Sequence, residues 1–196
     1  MSIDQIRKAL KDSAELKLRI ADTMAEQISE AAKSISAAIK SGGKVMLCGN
    51  GGSAADSQHL AAELVVRLSG KVNRKALPAM ALTTDTSILT AASNDFGFEN
   101  VFSRQIEAHG TEGDVLIALS TSGNSPNIIK AVNTAKEMDI VTIGLLGNAG
   151  GKLGSLVHLP LIVPSKDTQR IQEAHIAMGH IIIMTVETQY TGNNTG

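Results

Sequence analysis

Short aliphatic runs alternating with amphipathic segments predict a doubly wound α/β sandwich, a parallel sheet covered by helices on both faces. Five runs have the length and composition of buried strands: Lys44–Cys48, Ala79–Leu82 after Pro78, Val115–Leu119, Val141–Leu146 and Leu159–Val163. Helical patterns separate them at Ala54–Leu68, Thr86–Ala92, Glu99–Ala108 and Pro126–Met138, and a last helix is predicted over Thr168–Tyr190. A length of 196 residues suits one domain with its own core.

Residues 2 to about 40 read as helix, because Ile20, Met24, Ile28, Ile35 and Ile39 fall on one stripe. Ile6 and Leu10 make a similar stripe earlier, and the register slips near Ala14–Leu18, which predicts two helices or one kinked helix. Ser41-Gly42-Gly43 ends the segment. At the other end, Thr191–Gly196 reads as a frayed tail.

Eighteen basic against nineteen acidic residues, net −1, gives no electrostatic case for a nucleic-acid or membrane-surface partner. With 43% hydrophobic and 19% charged residues the chain is globular, and with 2% aromatics and no Trp its core must be aliphatic. Surplus apolar helix faces point towards an oligomer. The lone Cys48 excludes an internal disulfide and fits a reducing compartment. The start, MSIDQIRKALKD, lacks a signal-peptide apolar run, and no run nears a membrane span, so a cytoplasmic location is expected.

Ligands in such sheets sit beyond the carboxyl ends of the strands. The first strand runs into Gly49-Asn50-Gly51-Gly52-Ser53 at a helix start. Glycines there expose N–H groups at the positive end of a helix, which suits a phosphate or a sugar hydroxyl. The same residues also read as a tight turn with Ser53 as N-cap. It is neither the dinucleotide fingerprint nor a Walker loop, since neither the third glycine nor a Gly-Lys-Ser/Thr is present. The third strand runs into Ser120-Thr121-Ser122-Gly123-Asn124-Ser125-Pro126. Its four hydroxyls at a helix start favour a neutral phosphate cradle over a plain serine cap. Leu146–Gly151 reads as a third ligand loop or, with no side chains for specific chemistry, as a flexible connection, which is favoured.

His59 and Glu63 share a helix face, and Gln172 and His180 lie broadly on one side of the last helix. Each pair alone is weak. Were the two helices to meet, two imidazoles, a carboxylate and an amide oxygen would hold Zn²⁺ or serve as an acid–base pair. Arg67, one turn after Glu63, reads as a substrate contact or a solvated arginine. Asn94-Asp95, past the second strand, reads as a sugar-hydroxyl contact or an Asx-type turn. His109, His158 and His175 read as structural.

Taken together, the glycine loop with His59 and Glu63, Asn94-Asp95-Phe96-Gly97, the serine loop, and Arg170-Ile171-Gln172-Glu173-Ala174-His175 with His180 strongly resemble the phosphoheptose isomerases (sedoheptulose 7-phosphate isomerases) of the sugar isomerase (SIS) superfamily. The resemblance runs over nearly the whole chain. It implies a single SIS domain over 1–196, a flavodoxin-like five-stranded parallel sheet over 42–191, and N-terminal helices over 1–41 used in oligomerisation. It implies a homotetramer with active sites between subunits and one Zn²⁺ per subunit. The implied reaction converts D-sedoheptulose 7-phosphate to D-glycero-D-manno-heptose 7-phosphate, on the way to ADP-heptose and lipopolysaccharide core.

By the same resemblance, Ser120, Thr121, Ser122 and Ser125 hold the phosphate. Gly51, Gly52, Ser53, Asn94, Asp95, Arg67 and Gln172 contact the substrate. Glu63 and His180 form the acid–base pair, with Glu63 also touching substrate, and His59, Glu63, Gln172 and His180 are the zinc ligands. Gln169 departs from the pattern, since some members carry an acid there. The expected chemistry moves a proton between C1 and C2 through a cis-enediol, with Glu63 as base and His180 shuttling protons between oxygens. The competing reading is a non-catalytic SIS protein that binds a sugar phosphate or the replication initiator DnaA. A relative of that kind lacks the catalytic Glu and His, which this chain keeps at Glu63 and His180. A third kind, sensory SIS domains that control transcription, usually carries a DNA-binding segment, and no basic extension is present in this sequence.

Overall fold

A computed structural model describes residues 1–70 and 72–191. The predicted frayed tail lies outside the described residues from 192 onward, while Thr191 closes the last helix.

The N-terminal segment is one continuous helix, α1 (Ile3–Lys40), where the sequence pattern predicted a break or kink. Ser2 starts it with a capping box, accepting from the Gln5 N–H while the Gln5 side chain accepts from the Ser2 N–H. At about 1.5 Å per residue its 38 residues reach about 57 Å. The register slip falls where the helix passes from solvent onto the body of the protein. Ile6 and Leu10 are exposed, and the buried stripe begins at Ser13 and Leu16 before Ile20, Met24 and Ile28. Ser13 donates to Glu173 at 2.8 Å, so a polar contact begins the stripe where an apolar one was sought.

Five strands follow, all parallel: β1 (Val45–Cys48), β2 (Ala79–Ala81), β3 (Val115–Ser120), β4 (Val141–Leu146) and β5 (Leu159–Ile162). Their order is β2-β1-β3-β4-β5, with Leu47 level with Ile117 and Ile117 level with Ile143. The crossovers run through α2 (Gly52–Val65), α3 (Thr86–Phe96), α4 (Ser103–His109) and α5 (Pro126–Glu137), and α6 (Thr168–Thr191) closes the chain. The predicted Glu99–Ala108 helix is a 3₁₀ turn, Phe98–Asn100, followed by α4.

Strands β1, β3 and β4 are buried on both faces, which is why they read as unbroken aliphatic runs. One core layer lies between the sheet and α1, α2 and α6. The other joins the sheet to α4 and α5 and takes in Cys48, whose thiol burial pushes up to about 12. The strand order reverses direction between β1 and β3. The crevice beyond their carboxyl ends is therefore the topological switch point, where this architecture receives ligands.

Candidate active site

The loops after β1 and β3 flank that switch point. Gly51 is the N-cap of α2, with φ 54°, a left-handed conformation that glycine adopts without strain. Ser53 is therefore not the N-cap that the sequence offered as one reading. It is buried in the first turn, and its carbonyl accepts from Ser57. Ser125 is the N-cap of α5 but makes no side-chain capping bond there; its hydroxyl faces that of Ser120 at 3.2 Å. Ser120 also accepts the Gly123 N–H, and Ser122 accepts the Asn124 N–H, which leaves a hydroxyl-lined turn at the positive end of α5. The two loops are joined by a reciprocal carboxamide pair: Asn50 donates to Asn127 at 2.9 Å and Asn127 to Asn50 at 2.8 Å.

The segment after β4 is not the loose connection that its composition predicted. Asn148 donates to the Thr121 carbonyl, Lys152 N–H to Asn124 Oδ1, and Leu153 N–H to the Gly123 carbonyl, each at 3.0 Å. Gly123, at φ +66°, packs directly on Gly150 with no room for a Cβ. The third loop thus buttresses the serine turn.

The decisive feature is that α2 and α6 meet. At one point Gly179 lets Leu60 approach so closely that a Cβ would sit 2.7 Å from its methyls. The neighbours of that pair are His180 and His59, and their Nε2 atoms face each other at 2.8 Å with the rings edge to face. Only one of the two nitrogens can carry the proton between them. Glu63 Oε1 lies 3.4 Å from His59 Nε2. At the start of α2, Gly52 lies against the Gln172 carboxamide, where a Cβ would be 2.7 Å from Cδ and Oε1.

Asp56, one turn before His59, escaped the sequence reading. Burial pushes its carboxyl up, opposed by a hydrogen bond from Gln172 and by the charges of His59 and His180. Its Oδ2 is buried without a partner among the described residues. The i, i+3 spacing to His59 was the available signal, but it marks a site only once α6 covers that face.

Other candidates lie elsewhere. Arg67 is not a turn further along the helix, because α2 ends at Val65 and not at Leu68; its side chain is exposed. Asn94 and Asp95 belong to the last turn of α3, which runs past its predicted end at Ala92, and Asn94 donates to Asp95 at 2.7 Å. Asp95 lines a groove of about 270 Å³ with Phe96, Arg104 and His109. Among the described residues neither one bonds to the α2–α6 cluster. His175 is fully buried; its Nε2 donates to the Leu146 carbonyl, Nδ1 has no partner among the described residues, and burial pushes its pKa down to about 4. His158 accepts the Thr142 N–H, and His109 ends α4, as expected of structural histidines.

Two imidazoles, a carboxylate and an amide oxygen form a donor set suited to zinc. The 3.4 Å between His59 Nε2 and Glu63 Oε1 matches the edge of a tetrahedron with bonds of about 2.0–2.1 Å, whereas 2.8 Å between the imidazoles is shorter than that edge. Among the described residues no three His, Cys, Asp or Glu side chains already converge as a metal would require, so coordination needs side-chain rotation.

A Gly-rich and a Ser-rich loop at the switch point of a 2-1-3-4-5 sheet define the class, and residues 10–147 match the family model described as SIS domain. A phosphoheptose isomerase of Aquifex aeolicus is 51% identical over 185 residues, 94% of this chain and 96% of the relative. One from Rhodospirillum rubrum is 52% identical over 184 residues, again 94% and 96%. The solved phosphoheptose isomerase of Neisseria gonorrhoeae superposes with TM-score 0.88 at 41% identity, covering 94% of this chain and 98% of that one. That of Francisella tularensis gives 0.91 at 34% identity, with 96% and 99% covered. The chain belongs to the SIS family and, within it, to the phosphoheptose isomerases.

Proposed function

We propose that this chain interconverts D-sedoheptulose 7-phosphate and D-glycero-D-manno-heptose 7-phosphate, a ketose–aldose isomerisation that supplies heptose for ADP-heptose and lipopolysaccharide core. The observation that carries the reading is the meeting of α2 and α6, which sets His59, on the helix that begins at the glycine loop and with Glu63 3.4 Å from it, against His180. The family to which the chain belongs supports the substrate.

Isomerisation needs a base for the carbon-bound proton and a group that moves protons between O1 and O2. Glu63 is the base. His180 opens the sugar ring and then shuttles the oxygen-bound proton, with the neighbouring His59 nitrogen able to exchange it. The hydroxyls of Ser120, Thr121, Ser122 and Ser125 anchor the phosphate far from the reacting carbons, so binding energy is used for orientation. Gly51, Gly52, Ser53, Arg67, Gln172, Asn94 and Asp95 contact the sugar, as the family resemblance implies, in active sites built between subunits.

His59, Glu63, Gln172 and His180 would hold one zinc ion per subunit. Such an ion polarises a carbonyl and stabilises an enediolate. The enzyme works as a homotetramer in the cytoplasm. Association is supported by a groove of about 350 Å³ between α1 and α6, lined by Ile20, Ile28, Met178 and Ile181, with Ile181 44% exposed. Among the described residues no helix is long and apolar enough to cross a membrane.

The test is incubation with sedoheptulose 7-phosphate in D₂O, followed by NMR, with zinc and after chelation. An aldoheptose 7-phosphate bearing deuterium at C2 is the expected product. No conversion and no exchange under either condition would overturn the reading.

A further inference from the structure

Arg74 lies between α2 and β2, and its side chain is 1% exposed. Its Nε donates at 2.8 Å to Glu187 Oε1 on α6, a carboxylate 3% exposed, which also accepts the Leu68 N–H at 3.1 Å. Its Nη1 donates to the carbonyls of Leu64 at 2.8 Å and Lys75 at 3.0 Å. Its Nη2 donates to the carbonyl of Glu63 at 2.7 Å. Four of the five guanidinium N–H donors are thus engaged. A lysine could not reproduce this fork.

A buried ion pair is a weak source of stability, because removing both charges from water offsets much of their attraction. What this pair does have is position. One end holds the backbone of Glu63. The other holds α6 at a residue seven places after His180, two turns on and on the same face. The α2–α6 junction is therefore held at three levels: Gly52 against Gln172, Leu60 against Gly179, and Arg74 against Glu187.

We propose that Arg74 and Glu187 are positioning residues of the isomerase, a buried clamp that fixes the spacing of α2 and α6 and with it the placement of Glu63 relative to His180. The proposal rests on the roles given above to Glu63 and His180.

Two variants test it, Glu187→Gln, which keeps shape and acceptor oxygen, and the apolar pair Arg74→Met with Glu187→Leu. The apolar pair keeps the test open if the single variant does not fold, since replacing both members of a buried pair is often neutral for stability. For each, kcat and KM for sedoheptulose 7-phosphate are measured well below the melting temperature, alongside imidazole ¹H–¹⁵N spectra of His59 and His180. The expected result is a kcat lower by about 10- to 100-fold, the effect of a misplacement near 1 Å, with KM little changed, because the phosphate turn is built on β3 and α5 and is untouched. The imidazole signals move with kcat. A folded variant in which kcat keeps its wild-type value, or falls while the imidazole signals stay in place, overturns the clamp. Glu63→Gln is assayed in parallel. Turnover in that variant removes the base, whereas the imidazole spectra still report on the clamp.

Discussion

The two ends of the sheet treat buried charge in opposite ways. At the amino end, Asp114 has its valences filled. Its Oδ1 accepts the Lys44 N–H, and its Oδ2 accepts Lys44 Nζ at 2.6 Å, the Thr111 N–H at 2.9 Å and the Thr111 hydroxyl at 3.1 Å. Burial alone would raise this carboxyl, but the hydrogen bonds from Lys44 and Thr111 outweigh it and hold the group below its ordinary value. At the carboxyl end, Asp56 Oδ2 is buried without a partner among the described residues, and the His59 and His180 nitrogens face each other across 2.8 Å. A saturated cluster stabilises the fold. A buried oxygen left without a partner instead costs stability that the rest of the core must offset.

Changes at the carboxyl end should break chemistry, and changes at the amino end should break only stability. Glu63→Gln has the largest expected effect, a loss of about 10²–10⁴ in turnover with substrate binding kept, as read by steady-state kinetics and calorimetric titration. Gly52→Ala comes next. Its new methyl collides with the Gln172 carboxamide, and displacing that group by about 1 Å should lower kcat/KM by about 10²-fold. Ser122→Ala removes one hydroxyl from the phosphate turn. A hydrogen bond to a charged group is worth about 1.5–3 kcal/mol, so KM should rise about tenfold or more while kcat holds.

Asp114→Asn should leave turnover per folded molecule unchanged and lower stability by about 2 kcal/mol, measured by urea unfolding. The sign with pH follows from the depressed carboxyl. As pH falls, the unfolded chain takes up the proton first, so the Asp114 contribution is full above the ordinary carboxylate pKa of about 3.9 and is lost as pH drops through the lower folded value. In the variant this acid loss of stability should flatten. If Asp114→Asn instead lowered kcat, the division between the two ends would be wrong.

Much of this molecule was legible as pattern. The strands are aliphatic because both of their faces are covered, and their boundaries came within a residue or two of those observed. The serine-rich turn was legible as a turn because a hydroxyl-rich run at a strand-to-helix junction is a local feature. Helix ends were less so. Past Val65 the helix pattern is not continued: the carbonyls of Glu63 and Leu64 are taken by Arg74, and that of Leu64 also by the Leu77 N–H, both from the connection to β2. The loop after β4 looked free because the bonds that fix it on the serine turn, from Asn148 to the Thr121 carbonyl and from Lys152 N–H to Asn124, reach residues 27 and 28 places away.

Local and periodic chemistry, read from residue order, was enough for the alternation of strands and helices, the aliphatic core, and the identity of His59, Glu63, Gln172 and His180 as candidates. Their meeting depended on packing. His59 and His180 are separated by 121 positions, and their contact exists because Gly179 and Leu60 let two helices close on each other. Arg74 and Glu187 carry no signature along the chain, and Asp56 only its spacing to His59, since burial and partnership are properties of the folded surface each one faces and not of the residues beside it.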